Sequence, residues 1–119
     1  MSAIKGACHC GAVSFEVTVK PAFVVACNCS ICRRYAALWV HSPPHEGVVL
    51  HAPAGSTHTY SWGDKDLIFH SCKTCNCVTH WSGTQGARFA VNFRLAAPEE
   101  IAGIKVRHFD GADSWEFLD

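Results

Sequence analysis

The chain has 119 residues with ten basic and ten acidic side chains, so its formal net charge is zero. It contains no run of Lys or Arg, which argues against a nucleic-acid partner, because nucleic-acid-binding surfaces cluster cations against phosphates. No apolar stretch approaches the roughly 20 residues that a membrane-spanning helix needs, so no membrane partner is expected. At this length we expect one domain, covering residues 1–119.

The predicted elements are mostly short β-strands. Val13, Phe15 and Val17 alternate with polar residues, which is the pattern of a half-buried strand. Further strands are predicted, in chain order, at residues 23–26, 35–40, 48–51, 57–62, 67–70, 78–81, 89–93 and 104–109. Residues 98–101 are predicted to open a short helix, because a proline is followed by two acidic residues. The sequence therefore predicts a mainly β fold of short strands with at most one or two short helices.

All eight cysteines fall into three tight clusters. These are Cys8 and Cys10; Cys27, Cys29 and Cys32; and Cys72, Cys75 and Cys77. Thiols one or two residues apart can converge on one metal ion, whereas a disulfide between them would be strained. An even cysteine count is also typical of secreted, disulfide-bonded folds, but residues 1–6 contain no apolar signal region. We therefore expect a metal rather than disulfides, zinc in preference to an iron–sulfur cluster, and a reducing, cytoplasmic location.

The eight thiols can be divided between metal sites in more than one way. Cys8 and Cys10 together with Cys72 and Cys75 would supply the four ligands of a closed structural zinc site. The cluster of Cys27, Cys29 and Cys32 would then bind a second zinc and leave its fourth position open. Cys77 would remain as a spare ligand or a small buried apolar residue. Spacing leaves open the opposite arrangement, in which the middle cluster takes a fourth thiol from another cluster.

Residues beside the clusters are candidates for local geometry and chemistry. Asn76 follows Cys75, and Asn is the non-glycine residue that best tolerates the positive φ of a zinc-binding turn. Arg33 and Arg34 follow Cys32 and could hold a substrate carboxylate, although a solvated basic turn is the simpler interpretation. His70 and His80 could carry a proton near pH 7, with a purely structural role as the alternative.

Three cysteine motifs, in this order, resemble those of a known family. They are GACHCGAVSF at residues 6–15, CNCSICRR at residues 27–34 and FHSCKTCNC at residues 69–77, with YSW at 60–62 between them and VNFRL at 91–95 after them. On these segments the chain resembles the glutathione-dependent formaldehyde-activating enzyme family, which also contains centromere protein V. The resemblance covers nearly the whole chain. Asn76 departs from it, since the family commonly has Gly at that position.

The resemblance implies a β-tent fold of the Mss4-like kind, built from antiparallel strands. It implies a structural zinc on Cys8, Cys10, Cys72 and Cys75, and a second zinc at the catalytic cysteines Cys27, Cys29 and Cys32. It also implies a carbon–sulfur lyase activity that joins formaldehyde to glutathione, giving S-hydroxymethylglutathione. The substrate does not follow from the fold. The expected function is therefore a zinc-dependent enzyme acting on adducts of a small thiol and an aldehyde, with a thiol carrier or interaction module without turnover as the alternative.

Overall fold

The computed structural model describes residues 3–119, and the part described contains ten strands and two short α-helices. The strands are β1 Ile4–Ala7, β2 Ser14–Val17, β3 Val24–Cys27, β4 Trp39–Ser42, β5 Val48–His51, β6 Thr57–Tyr60, β7 Leu67–Cys72, β8 Val78–Gly83, β9 Phe89–Asn92 and β10 Val106–Phe109. The helices are α1 Cys32–Tyr35 and α2 Pro98–Ala102, and a single 3₁₀ turn covers Phe93–Leu95. Within residues 3–119, no helix has the length and apolar character needed to cross a bilayer.

The strands form two sheets. A small sheet has the order β1-β2-β5, and a large sheet has the order β10-β3-β4-β9-β8-β7-β6. The mainly β prediction with at most two short helices is confirmed. One strand pair departs from an all-antiparallel arrangement, because β10 runs parallel to β3, with Val106 opposite Val24 and Phe109 opposite Cys27. This pairing brings the last part of the chain to the second cysteine cluster.

The large sheet buries apolar residues on both faces, because successive side chains of a strand point to opposite sides. One face packs against Phe15 and Val17 of the small sheet. The other face carries a second apolar cluster that the small sheet does not cover. Neighbouring residues divide between the two faces, with Val24, Val40 and Val91 on the first and Val25, Trp39 and Ala90 on the second. The second face is the one that carries the candidate site.

One prediction of local structure was wrong, and one strand was not predicted. Residues 35–40 do not form one strand, since Tyr35 ends α1 and Ala36 adopts a left-handed conformation with φ of 53°. The chain turns there, and β4 begins only at Trp39. The strand β1 was missed, although its residues alternate between buried and exposed. It pairs with β2 from Ile4 opposite Val17 to Ala7 opposite Ser14.

Candidate metal and substrate site

The first cysteine group joins the small sheet to the large one. Cys8 follows β1 directly, Cys10 lies in the next turn, Cys72 ends β7 and Cys75 lies in the turn before β8. Their four Sγ atoms all lie within 4.8 Å of one another. Of the arrangements that the spacing left open, the structure therefore brings together the four thiols of the pair-plus-pair arrangement. Cys77 lies outside this group, and its carbonyl accepts a hydrogen bond from the Cys72 amide at 2.9 Å.

The sulfur positions of the first group fit a tetrahedral zinc site. A zinc–sulfur distance of about 2.3 Å places the sulfurs of a regular tetrahedron about 3.8 Å apart. The Cys8 and Cys10 sulfurs are 3.7 Å apart, and the Cys10 and Cys72 sulfurs are 3.5 Å apart. Backbone amides also point at the sulfurs, Val13 at Cys8 and Thr74 at Cys72, each at 3.4 Å. Such donors stabilise thiolates, which are the form that binds metal.

The turns that hold this group have the predicted backbone geometry. Asn76 has φ of 66° and Gly11 has φ of 84°, both in the left-handed region. The Asn76 amide donates to the Cys72 carbonyl, and the Gly11 amide donates to the Cys8 carbonyl, each at 2.9 Å. Amides of Cys77 and Cys10 point at the Cys75 sulfur and lower the pKa of that thiol to about 5. Asn therefore supports the same turn that Gly would.

The second group lies at the edge of the large sheet. Cys27 ends β3, Cys29 lies in the following turn and Cys32 begins α1. Their Sγ atoms lie within 4.8 Å of one another, and no fourth Cys, His, Asp or Glu of residues 3–119 joins them. The expected convergence of three thiols is confirmed. Three thiolates satisfy the donor chemistry of zinc and leave one tetrahedral position for an incoming ligand.

Hydrogen bonds make the three thiols of the second group unequal. A hydrogen bond from the Cys32 thiol lowers the pKa of Cys27 to about 6, against the opposing effect of burial. The same bond raises the pKa of Cys32, and burial adds to that rise. The Trp39 indole donates to the Cys32 sulfur at 3.4 Å, and the Cys32 amide donates to the Cys29 sulfur at 3.4 Å. Cys27 is therefore ionised more readily than Cys32.

A large cleft opens beside the second group. It has a volume of about 940 Å³, and Cys27, Cys29 and Cys32 all line it. The buried side chains of Trp39, Phe69 and Trp81 line it from the uncovered face of the large sheet. Further lining comes from the end of the chain, from Phe109, Trp115 and Phe117. The sulfurs thus lie against an apolar, aromatic cleft.

A smaller pocket with basic residues borders two of the same three cysteines. Its volume is about 410 Å³, and Cys27 and Cys32 line it together with Arg33, Arg94, His108 and the acidic Asp119. We call it the basic pocket, because its basic side chains outnumber the one acidic side chain. Arg34 lines neither pocket and instead donates to the Ser30 carbonyl at 2.7 Å. The structure therefore separates the two adjacent arginines, which the sequence alone left equivalent.

Comparison with known proteins identifies the family. Residues 3–105 match the sequence pattern of the family described as glutathione-dependent formaldehyde-activating enzyme. The chain belongs to this family. A solved structure of a Rhodobacter sphaeroides protein is also similar, with a TM-score of 0.65 and 26% sequence identity, over 87% of this chain and 99% of that one. The match to the formaldehyde-activating family ends at residue 105, before β10. The cleft residues that come from the end of the chain, such as Phe109 and Trp115, therefore lie beyond the matched span.

The histidines of this family member occupy places that the sequence did not reveal. His70 and His80 stack on each other at 4.0 Å, outside the cleft and the basic pocket. His70 bonds to the hydroxyls of Thr57 and Ser82, each at 2.9 Å. Burial, together with the neighbouring His70 ring, lowers the pKa of His80 to about 3. These contacts favour the structural interpretation of both residues.

His41 is a cleft residue that the sequence analysis did not select. It lies in β4 two residues after Trp39, on the face that lines the cleft, and its ring packs edge-on against Trp81 at 5.6 Å. Burial and then the nearby Arg88 cation lower the pKa of His41, so the ring is neutral at pH 7. The period-two relation to Trp39 is the signal that could have found it.

Proposed function

We propose that this protein is a zinc-dependent carbon–sulfur lyase-type enzyme that acts on adducts of glutathione, or a similar small thiol, with an aldehyde. The observation that carries the proposal is the position of the second thiol group, which borders both a basic pocket and an apolar cleft. Membership of the formaldehyde-activating family supports glutathione and formaldehyde chemistry. The proposed catalytic residues are Cys27, Cys29 and Cys32.

In this proposal the chain binds the thiol and the aldehyde next to each other. Zinc held by Cys27, Cys29 and Cys32 would keep the substrate thiol in its reactive thiolate form. Arg33 and Arg94 would bind carboxylates of the thiol in the basic pocket. The aromatic wall of the cleft would exclude water from the aldehyde and orient it toward the sulfur. Positioning of this kind lowers the barrier to carbon–sulfur bond formation and to its reverse.

The two adjacent arginines give a matched test of the basic pocket. We expect Arg33→Gln to weaken glutathione binding by about threefold to fivefold, because an exposed ion pair contributes only modestly. The loss should shrink at high salt, where exposed charges are screened. Arg34→Gln removes the same charge one residue away but outside both pockets, so its affinity should match the wild type. Calorimetric titration with glutathione measures both, and equal losses in the two variants would remove the basic pocket from the proposal.

Turnover distinguishes an enzyme from the alternative, a zinc-stabilised thiol carrier or interaction module. We expect the rate of exchange between glutathione plus formaldehyde and S-hydroxymethylglutathione to rise in proportion to enzyme concentration. Exchange NMR at fixed pH measures that rate against the uncatalysed reaction. Stoichiometric glutathione binding without acceleration would indicate a carrier. The absence of both binding and acceleration would indicate an interaction module.

The first thiol group has a structural role in this proposal. Cys8, Cys10, Cys72 and Cys75 would hold a zinc that joins the two sheets, and residues 1–119 would form one zinc-binding domain around the shared core. A cytoplasmic location stays a prediction; a reducing compartment would keep the eight cysteines as the free thiols found here.

A further inference from the structure

The cleft beside the second thiol group is much larger than formaldehyde requires. Its volume is about 940 Å³. A water molecule takes about 30 Å³ of liquid, and formaldehyde has only one carbon and one oxygen atom. Pockets of roughly 300–1,000 Å³ hold drug-sized organic molecules. The size of the cleft therefore matches a substrate with a substantial organic group.

The cleft lining is suited to an apolar group and poorly suited to the charged parts of a peptide thiol. Its buried part presents the rings of Trp39, Phe69 and Trp81, which favour flat or aliphatic partners. Arg88 and Asp64 are the charged side chains among the described lining residues, and the Arg88 guanidinium lies 5.7 Å from the Trp81 ring centre. The carboxylates of glutathione would pair with the arginines of the basic pocket. The apolar cleft is then available for the part of the adduct that comes from the aldehyde.

The end of the chain builds one wall of the cleft directly against the thiols. Gly111 packs so closely there that a Cβ atom at this position would lie 2.6 Å from the Cys27 sulfur. Phe109 packs edge-on against both Trp115 and Phe117, with ring centres 5.2 Å apart in each case. The Asn28 side chain, between Cys27 and Cys29, donates to Asp110 at 3.0 Å and accepts from the Ala112 amide at 3.0 Å. These contacts fix an aromatic wall beside the Cys27 sulfur.

Two tryptophans at the cleft remain accessible to solvent. Trp62 is 47% exposed and Trp115 is 71% exposed, and both line the cleft. Exposed apolar patches often mark interaction sites, and ligand pockets are concave and mostly apolar. Large apolar side chains that are both exposed and part of a cleft therefore indicate a ligand-binding surface. A bulky apolar ligand that packs against either ring would remove exposed apolar surface from water.

We propose that the cleft takes the side chain of an aryl or long-chain aldehyde, so that a bulky thiol–aldehyde adduct is a better substrate than S-hydroxymethylglutathione. This inference rests on the proposed function of the same site. In the reaction, the thiol sulfur bonds to the carbonyl carbon and the carbonyl π electrons move to oxygen. The proton lost by the thiol ends on that oxygen, and the apolar side chain is unchanged. The reverse reaction breaks the same carbon–sulfur bond and returns the proton to sulfur.

Binding of stable adduct analogues tests the proposal without relying on turnover. We expect S-hexylglutathione to bind at least about 30-fold more tightly than S-methylglutathione, since each buried methylene contributes about fourfold. Calorimetric titration gives the ratio of the two affinities. The ratio should fall at least about threefold in Trp62→Ala and in Trp115→Ala, which each remove a ring from the cleft. Tyr60→Ala is the matched control, because Tyr60 is 54% exposed but does not line the cleft.

Each outcome separates this inference from the proposed function. If glutathione binds but the hexyl and methyl derivatives bind equally, the bulky-substrate inference is overturned and the proposed function stands. If no glutathione derivative binds, glutathione is excluded as the thiol of the proposed function, and hexanethiol against 2-mercaptoethanol then tests the cleft alone. Equal affinities for those two thiols overturn the inference as well. A dimer that buries Trp62 and Trp115 and blocks every ligand would assign the cleft to self-association and also overturn it.

Discussion

Replacing Cys72 with Ser is expected to lower the melting temperature by more than about 10 °C and to remove one equivalent of zinc per chain. Cys72 is fully buried at the end of β7, and its sulfur lies 3.5 Å from that of Cys10. The four thiols tie the start of the small sheet to the large sheet, so losing one ligand releases a cross-link as well as the metal. Thermal unfolding and metal analysis of the purified protein measure the two effects.

Cys77→Ser is the matched control for this change. Cys77 lies five residues further along the same turn, and its sulfur lies outside both thiol groups. We expect this variant to keep its full zinc content and to lose much less stability. If Cys72→Ser keeps both its zinc content and its melting temperature, the first group is not a structural metal site.

Replacing Cys29 with Ala is expected to weaken glutathione binding by more than about 100-fold while leaving the fold and the first metal site in place. Changes to residues that only support a metal ligand already cost 10–100-fold in metal affinity or activity, so loss of a ligand should cost more. The two thiol groups share no cysteine. Calorimetric titration with glutathione and metal analysis of the same preparation measure the two consequences separately.

Cys77→Ala serves as the control for Cys29→Ala, since it removes a thiol that belongs to neither group. We expect it to bind glutathione as the wild type does. Equal glutathione binding by the wild type and Cys29→Ala would exclude the second thiol group as the binding site. Loss of both zinc equivalents in Cys29→Ala would show that the two groups are coupled, against the separate ligand sets described above.

The thiol groups could be predicted from the sequence because their geometry is mostly local. Two cysteines within one turn, such as Cys8 and Cys10, share a direction whatever the rest of the fold does. Placing Cys10 and Cys72 in one site rested on the four ligands that a closed zinc site needs, which two cysteine pairs supply. The family resemblance implied the same four ligands. The turn at Asn76 was predictable as well, because few non-glycine residues tolerate its positive φ.

The cleft could not be predicted, because its walls come from distant parts of the chain. Trp39, Trp81 and Trp115 meet there only after β4, β8 and the last segment are placed around the large sheet. For Trp39 and Trp81 an ordinary core position was the default interpretation, with a pocket wall as the alternative. Helix α1 was missed for a local reason: it has four residues, and Ile31 at its N-terminal end provides no side-chain cap.

The parallel pairing of β10 with β3 has a consequence for the order of folding. The contact between Asn28 and Asp110 joins residues 82 positions apart, and closing so long a segment is slow relative to forming a hairpin. During synthesis, the ribosome releases the second thiol group long before it releases the C-terminal residues that later cover this group. The nascent chain therefore exposes the three thiols to solvent until its last strand docks.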